Sequence, residues 1–401
     1  MPPRRLAPTR TAVLLIAALA GLAAAPPQAE PPPKPVATKG GQKITLTPVA
    51  FADLAGWKAD DLKPALAAFK VSCRGIRVDA SRFIDHPYGT PTEWRGVCGL
   101  AVATKPADAR AFFETNFEAF AVSASRKDEG LVTGYYEPEL EGSRHWSMLY
   151  SAPTYGVPPD LVMVDPVAFA DILNGRRMAG KVVDGKLVPY ETRAEIETAA
   201  YAARIKPLVY LRSPVDSFFT QIQGSGRVHL TDGTWIRLAY AAQNGHPYSA
   251  IGSALIQRGE IEASKMSMTA IRDWMRVNPD KAEALMDLNA SYVFFVEQKL
   301  DDLDLGPNGA EGVPLTPDTS MAIDPGIYPY GLPIFVTADI AKAHGAGEEP
   351  MARLRIAQDT GGAIRGVVRG DLFFGWGREA ELRAGATKGA ARFYVLKPKA
   401  A

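Results

Sequence analysis

The stretch DTGGAIRGVVRGDLFFGWG, from Asp359 to Gly377, places a carboxylate inside an otherwise apolar run. Val367–Val368 precede Asp371 and Leu372–Phe374 follow it, a composition that predicts a buried strand. Burying a bare carboxylate is costly, so Asp371 must find a strong hydrogen-bond partner or have its pKa raised by desolvation. A raised pKa suits a general acid that works near neutral pH. The alternative is an ordinary strand-end aspartate that faces water.

Two further aspartates of the C-terminal part stand directly before glycine-rich turns. Asp324 is followed by Pro-Gly, and Asp359 is followed by Thr-Gly-Gly. A short carboxylate accepts backbone N–H bonds in such turns, so a turn-forming role explains both positions without any chemistry. The alternative is that each of them is functional.

Two clusters in the middle of the chain have the composition of a sugar-binding site. The first comprises Thr133, Gly134, Tyr135 and Tyr136, and the second comprises Gln223, Gly224 and Ser225. Sugar rings present apolar C–H faces and a rim of hydroxyls, which stacked tyrosines and a nearby amide can bind. Core packing of the tyrosines and a flexible turn at the glycines explain the same residues equally well. The second cluster lacks the Gly-x-Ser-x-Gly pattern of a hydrolase nucleophile.

The composition is that of a soluble globular protein, with 47% hydrophobic and 22% charged residues, and a length of 401 residues predicts two domains. Lys and Arg number 45 against 44 Asp and Glu, which gives a formal net charge of +1. This charge offers no electrostatic reason to expect nucleic acid or an anionic membrane as a partner, and a neutral glycan is compatible with it. The histidines are scattered without metal-ligand spacing, so we expect no metal and no other cofactor.

The N-terminal residues predict export. Arg4, Arg5 and Arg10 precede an uncharged apolar stretch at Thr11–Ala25, which is typical of a secretory signal peptide over residues 1–29. This stretch is short for a membrane span, which needs about 20 residues. A Pro-rich linker follows at residues 30–44. We therefore expect a periplasmic protein. The sequence does not decide which site is cleaved, and the alternative is that the segment stays uncleaved as a membrane anchor.

Cys73 and Cys98 are the cysteines of the chain. In an exported protein, an even count at this spacing favours a disulfide between them. The alternative, a catalytic thiol, needs a neighbouring His or helix N-terminus that the sequence around them does not suggest. No cysteine lies near the predicted cleavage region, so we do not expect a lipid-modified N-terminus.

Periodicity and capping signals predict a mainly β protein with helices. Helices are predicted at Asp60–Phe69, Lys105–Phe120, from Thr192 to near Lys206, and at Ala250–Arg258, Ser267–Val277 and Asp280–Leu288. Strands are predicted at Leu208–Leu211 and Phe218–Ile222, and short strands with glycine-rich turns from Ala322 to Lys397.

Several motifs in order carry a resemblance to a known family. They are TGYYEP at Thr133–Pro138, QGSG at Gln223–Gly226, NGHPY at Asn244–Tyr248, SMTAIRDW at Ser267–Trp274, AIDPGIYPYG at Ala322–Gly331 and the stretch from Asp359 to Gly377. Over roughly Thr45 to Lys397, the chain resembles the membrane-bound lytic murein transglycosylase A family. Asp324, Asp359 and Asp371 look like the three aspartates that give the family's C-terminal 3D module its name.

The resemblance implies two β-barrel-like domains that face each other across a groove. The catalytic domain would be a double-psi β-barrel built from residues 45–136 and 298–401, including the 3D module at about 320–397. A substrate-binding domain of residues 137–297 would be inserted between these parts. Many relatives carry an N-terminal lipid that this chain lacks a cysteine to hold, which leaves outer-membrane association open.

The resemblance also implies a reaction. Members cleave the β-1,4 bond between N-acetylmuramic acid and N-acetylglucosamine in peptidoglycan glycan strands and form a 1,6-anhydro product. Asp371 aligns with the catalytic acid and Asp359 with a supporting aspartate. Substrate-binding roles are expected for Thr133, Gly134, Tyr135, Tyr136, Gln223, Gly224, Ser225 and Asp324. We expect a monomer.

Two alternative functions would also involve a peptidoglycan glycan strand as the partner. The first is a hydrolytic glycosidase in which Glu137 or Asp359 activates water, since ordinary glycosidases use two carboxylates. The second is a peptidoglycan-binding scaffold without catalytic activity.

Overall fold

A computed structural model describes residues 35–38, 41, 43–124, 127–165, 178–300, 302–344 and 347–400. The predicted signal peptide at 1–29 lies outside this description, and so does part of the predicted linker at 30–44. Within the described ranges, no helix is both long enough and apolar enough to cross a membrane.

The strands of the described residues fall into three sheets. They are β1 (Val36–Ala37), β2 (Lys43–Val49), β3 (Phe117–Ser123), β4 (Gly130–Glu137), β5 (Glu139–Ser143), β6 (Ala152–Tyr155), β7 (Val162–Val164), β8 (Met178–Val183), β9 (Lys186–Pro189), β10 (Pro207–Leu211), β11 (Ser225–Leu230), β12 (Trp235–Gln243), β13 (Val293–Lys299), β14 (Ser320–Ala322), β15 (Pro333–Ala341), β16 (Glu348–Asp359), β17 (Arg369–Trp376) and β18 (Lys388–Pro398). β1 falls inside the predicted linker and pairs with β2.

The α-helices of the described residues lie between these strands. They are α1 (Lys63–Val78), α2 (Pro91–Ala103), α3 (Ala109–Asn116), α4 (Arg193–Ile196), α5 (Ala199–Arg204), α6 (Pro214–Gln223), α7 (Ile251–Gln257), α8 (Met268–Val277), α9 (Pro279–Met286) and α10 (Gly377–Ala386). Short 3-10 helices occupy Phe51–Asp53, Trp57–Ala59, Ser81–Phe83, Pro106–Asp108 and Ala263–Lys265. The prediction of a mainly β protein with helices is confirmed.

The largest sheet contains a closed barrel. β4, β17, β14, β16, β15 and β18 form a ring, because β18 pairs with β15 along one part of its length and with β4 along another. The β14–β16 and β17–β4 pairs are parallel, whereas the remaining pairs of the ring are antiparallel. β3, β2 and β1 extend the sheet outward from β18. The parallel β4–β17 pair brings distant parts of the chain side by side.

Helices α1 to α3 cover this barrel with an aromatic core. Leu66, Phe69, Cys73 and Ile76 are buried and recur on one face of α1. Phe69 lies within 6.3 Å, ring centre to ring centre, of both Trp94 and Phe117. Each such side chain contributes roughly 2–3 kcal/mol by leaving water. The helices thus have a fixed position against the barrel.

A disulfide fastens α1 to α2. Cys73 and Cys98 are joined with an S–S distance of 2.06 Å, and both side chains are fully buried. α2 begins with a capping box, in which Thr90 and Glu93 each accept the other's backbone N–H. The segment between the two helices, which carries Arg82, is therefore held at both ends.

The second sheet also closes on itself. Its strand order is β13, β12, β11, β5, β10 and β6, and an isolated bridge between Gly156 and Phe295 connects the end of β6 back to β13. Apolar residues such as Val209, Val228, Leu238 and Phe295 fill its core. A separate small sheet contains β7, β8 and β9.

The predicted strand at Phe218–Ile222 is wrong, because this segment lies in helix α6. Ser213 accepts a hydrogen bond from the Asp216 N–H, Pro214 occupies the first turn, and Gly224 ends the helix at φ +84°. These terminal signals outweigh the β propensity of the apolar run between them. The helix presents Phe218 and Phe219 to a core shared with α7, α8 and α9.

Candidate active site

A cavity of about 570 Å³ lies where residues of the two closed sheets meet. Its lining includes Asp371 and Phe373 of β17 and the segment 359–364 after β16. Opposite parts of the lining come from β12, β13 and the C-terminal end of α6. Predicted site residues that line it are Tyr135, Tyr136, Gln223, Gly224, Ser225, Asp359 and Asp371.

A second cavity, of about 900 Å³, is larger but contains none of these residues. Strands β15, β16 and β18 contribute to its lining, together with Arg383 of α10. We place the candidate site in the smaller cavity because the unusual carboxylates lie there.

Asp371 lies in β17, in the wall of the barrel, and lines the cavity. Its backbone is paired with Thr133 of β4 and with Ala322 of β14. The Thr133 hydroxyl donates a 2.6 Å hydrogen bond to Asp371 Oδ1, and Arg369 Nη2 donates to the same hydroxyl at 3.0 Å. The side chain keeps partial solvent exposure because it lines the cavity.

The surroundings of Asp371 raise its pKa to about 6. Burial is the largest cause, since it penalises the ionised form. The hydrogen bond from Thr133 and the positive charge of Arg369 oppose this effect, while the negative charge of Asp359 adds to it. A carboxyl group with this pKa can hold a proton and release it near neutral pH.

Asp359 ends strand β16 and accepts hydrogen bonds on both oxygens. Backbone N–H groups of Ala310 and Thr360 each donate to Oδ1 at 2.9 Å, and the Tyr135 hydroxyl donates to Oδ2 at 2.8 Å. Burial raises the pKa of Asp359, and these three donors oppose the rise. The donors therefore favour an ionised carboxylate beside Asp371.

Asp324 has its carboxylate turned to backbone amides and does not line the cavity. Gly326 N–H donates to Oδ1 at 3.1 Å and Gly366 N–H donates to Oδ2 at 2.9 Å. These bonds join the 324–328 turn to the loop that precedes β17. Its predicted substrate-binding role stays a prediction, and the contacts give it a role in fixing this loop.

Thr133 and Gly134 lie in β4 behind the cavity surface. Thr133 acts on Asp371 through the hydrogen bond described above. At Gly134, a Cβ atom would lie 2.4 Å from the Phe374 ring and 2.9 Å from Ala384 Cα, so only glycine fits between β17 and α10. Gly134 therefore allows β4 to pack closely against β17 and α10.

The second cluster connects the two sheets. Tyr136 N–H donates to Gln223 Oε1 at 3.1 Å, which joins β4 to the end of α6. Gly224 adopts φ +84°, a left-handed conformation that glycine reaches without strain. Ser225 is the first residue of β11 and is buried at the cavity. These residues bring the wall formed by β12 close to β4.

Further cavity residues were missed by the sequence analysis. Tyr240 and Tyr248 line the cavity, and their side chains are 47% and 43% exposed. Gln221 also lines it, and its Oε1 accepts from Arg193 Nη2 at 2.9 Å. The NGHPY motif contains Tyr248 and could have identified it as a site residue. For Tyr240, the sequence offered only the alternation of residues along a strand.

Glu137 does not line the cavity and is fully buried. Arg227 Nε donates to it at 2.7 Å and Arg237 Nε at 2.6 Å. Both oxygens of Glu137 are therefore engaged in ion pairs with arginines of β11 and β12. Within the part of the chain that is described, no group of three or more His, Cys, Asp or Glu side chains is placed to hold a metal ion.

The chain is similar to known protein families and to solved structures. The MltA specific insert domain matches residues 131–296, and the 3D domain matches residues 319–397. A crystal structure of membrane-bound lytic murein transglycosylase from Agrobacterium tumefaciens is 35% identical, with a TM-score of 0.76 over 88% of this chain and 97% of that chain. The chain belongs to the membrane-bound lytic murein transglycosylase A family.

Other members of the lytic murein transglycosylase A family are similar over different lengths. The membrane-bound lytic murein transglycosylase A of Vibrio cholerae is 33% identical over 270 residues, which is 66% of this chain and 65% of that protein. The match thus covers slightly less than two thirds of that relative. The Escherichia coli MltA structure with bound chitohexaose is 25% identical, with a TM-score of 0.63 over 92% of this chain and 95% of that chain.

Proposed function

We propose that this protein is a lytic transglycosylase that cleaves the β-1,4 bond between N-acetylmuramic acid and N-acetylglucosamine in peptidoglycan. The observation that carries the proposal is the environment of Asp371, a cavity-lining carboxyl group with a pKa of about 6. Membership of the lytic murein transglycosylase A family supports the same reaction.

One carboxyl group suffices for the two steps of this reaction. Protonated Asp371 donates its proton to the glycosidic oxygen as the bond to C1 of the muramoyl residue breaks. The carboxylate that remains then accepts the proton of the C6 hydroxyl, whose oxygen bonds to C1 and forms the 1,6-anhydro ring. Asp371 ends protonated, as it began, and no water is consumed.

Asp359 and Thr133 have supporting roles in this scheme. In its ionised form, which its three hydrogen-bond donors favour, Asp359 would supply negative potential near the oxocarbenium-like transition state. The hydroxyl of Thr133 fixes the orientation of Asp371 and stabilises its ionised form between the two steps. Asp359 is held by three donors, so it is less suited than Asp371 to exchange protons.

The substrate is proposed to be a glycan strand that lies along the cavity. The Escherichia coli relative has been crystallised with bound chitohexaose, an oligosaccharide. In this chain, Tyr240 and Tyr248 offer exposed ring surface for sugar stacking, and Gln223 and Ser225 offer polar groups nearby. Neutral sugars also agree with the formal net charge of +1.

The domain organisation is proposed accordingly. Residues 45–136 and 298–401 would form the catalytic double-psi β-barrel, and residues 137–297 the inserted substrate-binding domain. The closed ring of β4, β17, β14, β16, β15 and β18 supports the first assignment. The match of the insert domain to residues 131–296 supports the second. We further propose that the protein is a periplasmic monomer. The description of its relatives as membrane-bound supports a location in the cell envelope.

The hydrolytic alternative has less support because its candidate residues are engaged. Glu137 is buried between two arginines and away from the cavity, so it has no access to a water molecule beside the sugar. The alternative of a scaffold without catalytic activity does not explain why the pKa of Asp371 is raised.

Digestion of purified sacculi followed by mass spectrometry of the products tests the proposal. We expect 1,6-anhydro muropeptides from the wild type and none from Asp371→Asn, which should still bind sacculi. Asp232→Asn is a matched control, because Asp232 also accepts a hydroxyl hydrogen bond but lies in an exposed turn. Products with a free reducing end would identify a hydrolase, and a wild type that binds without cleaving would identify a scaffold.

A further inference from the structure

A buried carboxylate, Glu311, anchors a loop that contacts Asp359. The loop, residues 306–312, connects the second sheet back to β14, and Gly309 and Ala310 line the cavity. Ala310 N–H donates to Asp359 Oδ1 at 2.9 Å, and Glu311 N–H donates to the carbonyl of Gln358 at 3.0 Å. The loop therefore forms a wall of the cavity and also supplies one of the donors to Asp359.

The side chain of Glu311 points away from the cavity into the helical layer. It is 1% exposed, and Arg82 Nη1 donates to its Oε1 at 2.6 Å. The Ser72 hydroxyl of α1 donates to its Oε2 at 2.7 Å. Burial raises the pKa of Glu311, and the bonds from Ser72 and Arg82 oppose this rise. These two partners fix the position of the side chain.

The same serine also holds the residue before Asp359. Gln358 Nε2 donates to Ser72 Oγ at 2.9 Å and to the carbonyl of Ala68 at 3.2 Å. Ser72 is thus a common anchor for the loop and for the end of β16. It precedes Cys73, whose disulfide holds α1 against α2.

Three glycines leave the space that this arrangement needs. A Cβ at Gly309 would lie 2.5 Å from the Gln358 carbonyl oxygen and 3.3 Å from Asp359 Cβ. A Cβ at Gly331 would lie 3.3 Å from Glu311 Oε1, and one at Gly75 would lie 3.3 Å from Arg82 Nη2. The loop can approach Asp359 because Gly309 carries no side chain, and a Cβ at Gly331 or Gly75 would crowd the ion pair.

We propose that Glu311 is a positioning residue, which together with Arg82 and Ser72 holds the 306–312 loop so that Ala310 keeps its hydrogen bond to Asp359. This inference rests on the proposed function, in which an ionised Asp359 supports Asp371. Glu311 itself touches neither the cavity nor the substrate. Its effect reaches the reaction through one backbone donor.

Loss of this donor changes the titration of Asp359. Burial already raises the pKa of Asp359, and the hydrogen bond from Ala310 is the largest effect that opposes the rise. Without it, the pKa of Asp359 rises further, so a higher pH is needed to ionise the carboxylate. A general loss of stability would not shift the pH dependence in this way.

Glu311→Gln tests the proposal with Glu141→Gln as the matched control. Glu141 also pairs with an arginine, Arg212, but both side chains are exposed and lie outside the cavity. For Glu311→Gln we expect kcat to fall about tenfold with little change in KM, since one charge-assisted hydrogen bond is lost. The acid limb of the kcat profile should move to higher pH, and amide hydrogen exchange should increase in residues 306–312. The control should match the wild type in all of these measurements.

The outcomes separate this inference from the proposed function. A Glu311→Gln variant with the kcat and pH profile of the wild type would overturn the positioning role, whatever its hydrogen exchange. If the wild type releases no anhydro product, the proposed function fails, whereas hydrogen exchange still reports whether Glu311 holds the loop. Should Glu311→Gln not fold, Arg82→Gln leaves the Ser72 bond intact and should show the same changes at smaller size. A folded Arg82→Gln with unchanged exchange and kinetics would also overturn the proposal.

Discussion

Asp371 owes its chemistry to neighbours that act in opposite directions. Burial and the charge of Asp359 favour its protonated form, while Thr133 and Arg369 favour its ionised form. Together these effects give Asp371 a pKa of about 6, so both its protonated and its ionised form are accessible near neutral pH. Each neighbour is thus a point at which the pH dependence of the reaction can be altered.

Replacement of Thr133 by valine should raise the pKa of Asp371, because valine cannot donate to the carboxylate. The protonated acid then persists to higher pH, so the alkaline limb of the pH–rate profile should move up by about one unit. Thr234→Val is a suitable control, since the Thr234 hydroxyl also donates to an aspartate, Asp232, but in an exposed turn. An unshifted alkaline limb in Thr133→Val, with the control behaving as wild type, would show that this hydrogen bond does not set the pKa.

Asp371→Asn should stabilise the folded protein while it removes activity. The pKa of Asp371 is about 6 in the fold and near 3.8 in an unfolded chain, so the folded state binds an extra proton between these values. The wild type therefore loses stability as pH rises through this window, and an asparagine does not. The gain in unfolding free energy should be small at pH 4 and reach at most about 3 kcal/mol at pH 7. Urea unfolding at several pH values measures it, and a gain that is independent of pH would contradict the assigned pKa.

At the scale of single elements, β4 and β17 carry most of the site. Their parallel pairing sets Thr133 beside Asp371 and Tyr135 beside Phe373. Close packing of α10 against the pair depends on Gly134, where any side chain would meet Phe374 and Ala384. The position of the Asp371 carboxyl group is therefore coupled to the packing of a helix outside the cavity.

Gly134→Ala should displace β4 from β17 or α10 and lower the free energy of unfolding by about 2 kcal/mol. Activity should fall as well, because the displacement moves Thr133 relative to Asp371. Gly99→Ala in α2 provides the comparison: its Cβ has no neighbour within 4 Å, and alanine favours a helix. Equal stability of the two alanine variants would mean that Gly134 is not required for packing. Thermal or urea unfolding and sacculus digestion measure both effects.

Elements with local signals could be predicted from the sequence. The apolar run around Asp371 predicted β17, and Ser267 predicted the start of α8, where its hydroxyl accepts the Ala270 N–H. The strand predicted at Phe218–Ile222 failed because an apolar run of this length suits either a strand or a buried helix. The flanking residues Ser213 and Gly224, which are typical of the start and the end of a helix, indicated the correct structure.

At the scale of the whole molecule, contacts between distant residues decide the architecture. Glu137 lies 90 and 100 positions from its partners Arg227 and Arg237, and Glu311 lies 229 positions from Arg82. Such pairs leave no periodicity or spacing in the sequence, so neither was predicted. The order of the motifs related the chain to its family, and the apolar run around Asp371 singled out that residue. Neither feature revealed what holds the two sheets together.

Glu137, Arg227 and Arg237 form a buried charged cluster between the two sheets. Glu137 ends β4, and the arginines belong to β11 and β12. Both guanidinium groups also donate to the carbonyl of Leu305, in the segment that returns to the first barrel. Arg227 further packs against Trp376 at the end of β17, with Cζ 3.7 Å from the ring centre. The cluster fixes the spacing of the elements that form the cavity.

Glu137→Gln should therefore act on stability and not on the chemical step. Removal of the carboxylate leaves two buried guanidinium groups without a counter-charge, and the free energy of unfolding should fall by about 3–5 kcal/mol. Glu297→Gln, which breaks the exposed pair with Arg144, should cost less than about 1 kcal/mol. At a temperature where Glu137→Gln remains folded, it should still release the 1,6-anhydro product, because Asp371 and its donors are intact. If Glu137 instead activated water, the variant would keep the stability of the wild type and lose all activity, so urea unfolding and sacculus digestion on one preparation separate the two roles.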